Sequence, residues 1–148
     1  MNVSGEFKTL FARDLGKLKE EINLYASEEQ LWITDGEIKN SAGNLAMHLC
    51  GNLQHFIGHV LGGSAYERDR AFEFNGRMTR EALVSEVLKT EEALIGYFET
   101  ASDEDYSADY PLEVFGYKMS NLHFIMHLMG HLNYHLGQVN YHRRILGK

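Results

Sequence analysis

His131-Leu-Asn-Tyr-His135-Leu-Gly-Gln138 sets two histidines four residues apart. Residues four apart on an α-helix lie one turn and roughly 40° from each other, so the two imidazoles point the same way about 6 Å apart. Such a pair can hold one divalent metal ion, and a third ligand from another helix completes a site with an open coordination position. The pattern continues N-terminally through His127 and His123, one histidine per turn. On a helix that starts near Ser120 and reaches almost to Lys148, His127, His131, His135, Gln138 and His142 fall within roughly 80°, with His123 at the edge.

A second helix answers the first. It begins at Ser41 or Asn44, both suitable N-caps, and runs to the stop signal Gly62-Gly63. His48, His55 and His59 fall within about 40° of one face of it. All eight histidines of the chain therefore lie on two segments. A lone histidine on an apolar face is usually a core residue bonded to a carbonyl or hydroxyl. Burying several together would cost about 1–3 kcal/mol for each unpaired nitrogen, which a shared metal removes. Spacing alone does not say which three bind it.

Two further segments carry a helical period. Phe7, Leu10, Phe11, Leu15, Leu18, Ile22 and Tyr25 form one stripe; Leu83, Val84, Val87, Leu88, Leu94, Ile95 and Phe98 form another behind the N-cap Thr79. The sole proline, Pro111, lies outside all four segments. Short extended pieces are expected at residues 29–38 and 111–117. About eleven residues join the first two helices, and loops of about fifteen to twenty follow the second and third, long enough for crossovers. The expected fold is all-α, one domain over residues 1–148: a four-helix bundle with long crossover connections.

Bulk properties narrow the function. A hydrophobic content of 44% and 24% charged residues describe an ordinary globule. The net charge of −7 argues against nucleic acid, which needs clustered Lys and Arg. A single cysteine, Cys50, excludes an internal disulfide and suits a reducing cytoplasm. No signal peptide and no transmembrane span is expected, so the reading is a cytoplasmic protein with no membrane partner.

The histidine early in the second helix and the run His131-x-x-x-His135-x-Gly137-Gln138 resemble the DinB-like superfamily of metal-dependent helical bundles. Leu45-Ala-Met-His48-Leu-Cys-Gly-Asn52-Leu and Arg68-Asp-Arg70-Ala-Phe-Glu73-Phe74 resemble one branch of it, and the similarity spans nearly the whole chain. The resemblance implies a ligand triad of His48, His131 and His135. It also implies antiparallel second and fourth helices, so that His55 would stand level with His123 and His127 in a ladder up one cleft. The additional histidines are outside the family's usual pattern and leave a shifted or second site open.

Around the triad, Gln138 and Asn52 each lie one turn beyond a ligand position, where an amide can orient an imidazole or a bound water or simply satisfy its bundle neighbours. His127 and His55 are further supporting candidates. Gly51, Gly58 and Gly62 each cost roughly 1 kcal/mol relative to alanine in a helix, which points to close packing beside the histidines or to room for a ligand. Cys50 faces about 160° away from His48 and reads as core. Tyr134 and Tyr141 read as core or interface. Arg68, Asp69, Arg70 and Glu73 read as a loop brace, with capture of a substrate carboxylate as the alternative.

Characterised relatives include S-transferases and isomerases that use a low-molecular-weight thiol. The expectation is a metal-dependent thiol transferase acting on a small-molecule substrate, with the metal activating a thiolate. Metal-assisted hydrolysis is the second reading, although no glutamate stands between His131 and His135 as a base. A non-catalytic metal- or ligand-binding bundle of a stress response is the third. Three imidazoles suit zinc, nickel, iron or copper, with zinc the default. The tyrosines and the resemblance together suggest a homodimer.

Overall fold

The computed structural model describes residues 1–147, and among these the fold is all-helical. Helix α1 (Val3–Leu24) opens on Asn2, whose side chain accepts from the Gly5 amide. A 3₁₀ turn (Glu29–Trp32) follows. Helix α2 (Ala42–Leu53) is capped by Ser41, which accepts from the Asn44 amide, so of the two candidate caps the earlier one serves. It continues into a π-helical segment (Gln54–His59). Helices α3 (Arg70–Asn75), α4 (Arg80–Thr100), α5 (Asp103–Ser107) and α6 (Asn121–Leu146) complete the order. Thr79 caps α4 and Ser120 caps α6, each through the amide three residues on.

The long helices arrange themselves around one core. Helix α1 packs on α4 and α6, α2 packs on the same two, α3 lies against α2, and α5 lies against α6. Phe11, Leu15, Leu18 and Ile22 from α1 meet Leu49 and Leu53 from α2, Leu83 and Leu94 from α4, and Phe124, Leu128 and Leu132 from α6, all buried in a single cluster. Full burial of each such side chain is worth about 1.5–3 kcal/mol. Polar ties across the core are few and specific. Asp14 is fully buried, bonded to Arg13 at 2.9 Å and to Asn133 of α6 at 2.9 Å. Glu21 holds Arg143 and Asn140 of α6. In both carboxyls burial works upward, but these partners win and hold the group below the usual carboxylate range.

Three expectations need correction. Among the described residues there are six α-helices rather than four, because α3 and α5 occupy the two long connections. Each is shorter than two helical turns, so it leaves no readable period; only its cap is legible, Asp69 accepting from Phe72 and the reciprocal box of Ser102 and Asp105. No strand forms among the described residues; the first expected extended piece holds the 3₁₀ turn, and only an isolated bridge joins Asp109 to Ser120. Tyr134 and Tyr141 are exposed, 66% each, and so are not core. Among the described residues no helix is long and apolar enough to cross a membrane.

Candidate metal centre

The contact of α2 with α6 brings His48 against the stretch that carries His131 and His135. Nε2 of His131 lies 3.2 Å from Nε2 of His48 and 3.1 Å from Nε2 of His135. Ligand atoms of the three residues all fall within 4.8 Å of one another, and no fourth His, Cys, Asp or Glu joins the group among the described residues. Tetrahedral coordination with bonds of about 2.0–2.1 Å places donor nitrogens about 3.3 Å apart. The observed spacing matches that edge.

The opposite ring nitrogens explain why the Nε2 atoms point inward. Glu73 Oε1 accepts the Nδ1–H of His48 at 3.0 Å, and Gln138 Oε1 accepts the Nδ1–H of His135 at 2.7 Å. Each neutral imidazole bonded in this way turns a lone pair, not a proton, toward Nε2 of His131. A proton on His131 Nε2 could satisfy only one of those two lone pairs. With the proton on Nδ1 instead, three lone pairs converge, and His131 Nδ1 is itself buried without a hydrogen-bond partner. Three convergent lone pairs are the donor set of a cation, so the residues present fit a divalent metal.

Electrostatics favour the neutral forms of His131 and His135. Burial, reinforced by His135 and His48, pushes the His131 pKa down from 6.5 to about 4. Burial also lowers that of His135, against an upward pull from Gln138. The Glu73 carboxyl, 4% exposed, feels burial upward but is held below the usual range by Arg68 and His48. Arg68 grips it through two bonds, Nε to Oε2 at 2.8 Å and Nη2 to Oε1 at 2.9 Å. Phe74 closes over His48 with ring centroids 4.8 Å apart.

The link from Glu73 to His48 is what the sequence did not reveal. The Arg68–Glu73 brace exists, but its far end is His48, not merely the loop. Gly51 shows how the contact is accommodated: a Cβ there would fall on the Glu73 carboxylate. The glycine thus admits neither a long helix nor a ligand but this carboxylate. Glycine one turn after a candidate ligand, with an acid on the following segment, was the available signal. Gly58 does serve close packing, its Cβ position lying 3.3 Å from Ala93 of α4.

The other histidines disperse. His127 lines a cavity of about 320 Å³ beside His48 and His131, together with Asn52, Arg70 and Phe115. Asn52 is buried and its Oδ1 has no hydrogen-bond partner. His55 stacks on His59, with centroids 5.9 Å apart, and does not belong to that wall. The π turn widens the helix after Leu53 and retards its phase, which carries His55 and His59 off the His48 line. His59 bonds the Ser64 carbonyl, and His123 is exposed. His142 is buried elsewhere, its Nε2–H donating to the Ile33 carbonyl at 2.9 Å and its Nδ1 2.8 Å from the Tyr25 hydroxyl. Cys50 is buried, and burial raises its thiol to about 12, so it is an inert core residue. A second cavity, about 540 Å³, opens on the far side at His135 and Gln138 and is lined also by Tyr134, Tyr141, Glu37 and Lys39.

Residues 18–148 match the model of the DinB family. Among solved structures, a DinB-like protein from Bacillus cereus ATCC 10987 is similar with a TM-score of 0.76 and 18% identity, over 95% of this chain and 91% of that one. A DinB-like protein from Bacillus subtilis is similar with a TM-score of 0.73 and 17% identity, over 97% of this chain and 93% of that one. At such identities the likeness concerns the fold. No curated protein matches the sequence.

Proposed function

The chain belongs to the DinB family, and from that premise we propose that it is a metal-dependent enzyme of S-transferase type, using a low-molecular-weight thiol and a small electrophilic substrate. His48, His131 and His135 are the proposed ligands, with zinc the default ion and nickel or iron the alternatives. The observation that carries the reading is the convergence of three Nε2 atoms, two of them at 3.1 and 3.2 Å from the third. A divalent ion held there supplies a Lewis acid with an open position, able to bring a thiol's pKa toward neutrality.

The chain's own residues do the positioning. Glu73 fixes the tautomer and ring plane of His48, and its negative charge raises the basicity of the ligand nitrogen. Gln138 does the same for His135 without adding charge. Arg68 keeps Glu73 ionised and stationary. That commitment favours the thiol reading over hydrolysis. The carboxylate nearest the ligands in the hydrogen-bond network is occupied by His48 and Arg68, so it is poorly placed to take a proton from water. The three-residue donor set, open to cavities on both sides, likewise favours an exchangeable ligand over an enclosed storage or structural ion.

The exposed α6 side chains Met126, Tyr134, Tyr141 and Ile145 support a homodimer as part of the same proposal, to be checked by sedimentation. Elemental analysis of protein purified without a polyhistidine tag should return about one metal per chain, and a panel of thiols against alkyl and epoxide electrophiles should show metal-dependent thiol consumption. Hydrolysis of esters or amides without thiol consumption would select the hydrolase reading instead.

A further inference from the structure

The cavity beside His48 and His131 carries two features that metal binding leaves unused. Asn52 is 7% exposed and lines the cavity, yet its Oδ1 accepts no hydrogen bond. A buried amide oxygen without a donor is unfavourable, and a ligand N–H or O–H would relieve it. The second feature is Arg70. Its neighbour Arg68 is committed to Glu73, but Arg70 forms no ion pair among the described residues. Its guanidinium lies 5.3 Å over the Phe74 ring, and its side chain borders the same cavity.

The rest of the wall sharpens the charge. No Asp or Glu lines this cavity, while Arg70 does, and the charge of Arg68 on the same wall is already paired with Glu73. In a chain of net charge −7 this is a local exception. Phe56, Phe115, Phe124 and Val114 supply apolar surface. The cavity on the far side differs: it sets Glu37 against Lys39 and touches only His135 of the three.

We propose that the cavity binds a small organic acid: its carboxylate pairs with Arg70, its N–H or O–H donates to Asn52 Oδ1, and its apolar body lies against Phe115 and Phe124. Arginine suits this role because its planar fork can take both carboxylate oxygens. A volume of about 320 Å³ corresponds to roughly ten waters at about 30 Å³ each, so the part bound here has on the order of ten non-hydrogen atoms. The assignment rests on the metal-centre reading only for where the reacting atom would sit; the acid site itself is built from other side chains.

The test titrates the full chain with mandelate, mandelamide and phenylacetate by calorimetry, with and without zinc. Mandelate carries the acid, the hydroxyl and an apolar ring; the amide lacks the charge and phenylacetate lacks the hydroxyl. Mandelate should bind about tenfold more tightly than mandelamide, the scale of a charge-assisted pair. Arg70→Gln, at an exposed side chain, should erase that advantage and leave mandelamide unchanged. Asn52→Leu should erase the advantage of mandelate over phenylacetate. An Arg70-dependent preference in protein that binds no zinc would sustain the acid site and sink the metal reading. Zinc binding with equal affinities for mandelate and mandelamide, with no effect of Arg70→Gln, or with no binding of any of the three, would overturn the acid site and leave the metal reading intact.

Discussion

Two histidine environments on α6, about two turns apart, differ in what their ring nitrogens meet. At His142 the protein answers both: Ile33 accepts from Nε2 at 2.9 Å, and the Tyr25 hydroxyl, itself 3.0 Å from the Val139 carbonyl, meets Nδ1 at 2.8 Å. That ring pins α6 to the end of α1 and to the 3₁₀ turn. At His131 and His135 the inner nitrogens meet each other and His48, and no donor is available to satisfy them all. On a helix this rich in imidazole, neither count nor spacing separates a structural histidine from a candidate ligand. The separating property is the unanswered lone pair.

The sharpest way to break that contrast is to remove one member from each side. His131→Ala should weaken metal binding by more than about 100-fold, beyond the range of support residues, in a competition assay against a chromogenic chelator, with helicity retained. Unchanged affinity would mean that the three nitrogens do not share an ion. His142→Ala should do the reverse. It leaves the Ile33 carbonyl without its donor and opens a cavity beside Tyr25, which keeps only its bond to the Val139 carbonyl, and should lower unfolding free energy by roughly 2–3 kcal/mol in urea, with metal affinity untouched.

Smaller effects grade the supports. Glu73→Gln keeps the shape but loses the charge that Arg68 and His48 both use, and should reduce metal affinity about tenfold or more. Gly51→Ala should act in the same direction through a different cause, since its methyl displaces the carboxylate. If it left affinity unchanged, the glycine would be there for packing alone. Gln138→Ala, removing a neutral support, should weaken binding by less than about tenfold.

Acidity probes the same difference. His131 takes a proton in the folded protein only near pH 4, against 6.5 ordinarily. Between those values the unfolded chain binds a proton that the folded chain refuses, so stability of the metal-free protein falls as pH drops from about 6.5 to about 4. Denaturation midpoints across that window should slope accordingly, and His131→Ala should flatten the slope. With metal bound the fall should steepen, because protons compete with the ion for the same nitrogens.

Much of the fold was legible. Ser41, Thr79 and Ser120 cap helices where their sequence positions call for it, and most of the apolar stripes of α1 and α4 are buried, Leu88 being the exposed exception. Caps and stripes are local, set by neighbours three or four residues away. The pairing of His131 with His135 is local in the same sense. The reach of Glu73 to His48 is not: it depends on the short helix α3 folding back over Gly51, across 25 positions of chain. The π turn after Leu53 was equally hidden, because no residue type announces it.

Helix positions and the faces that carry imidazole were written into the chain by itself, since a period and a cap need only near neighbours to act. Only the packed molecule chose among eight histidines, tying His142 to a carbonyl and a phenol while turning His48, His131 and His135 inward. The reason is that a hydrogen-bond partner or a shared ion is a meeting of distant segments. Small differences in phase and loop closure decide which nitrogens find one.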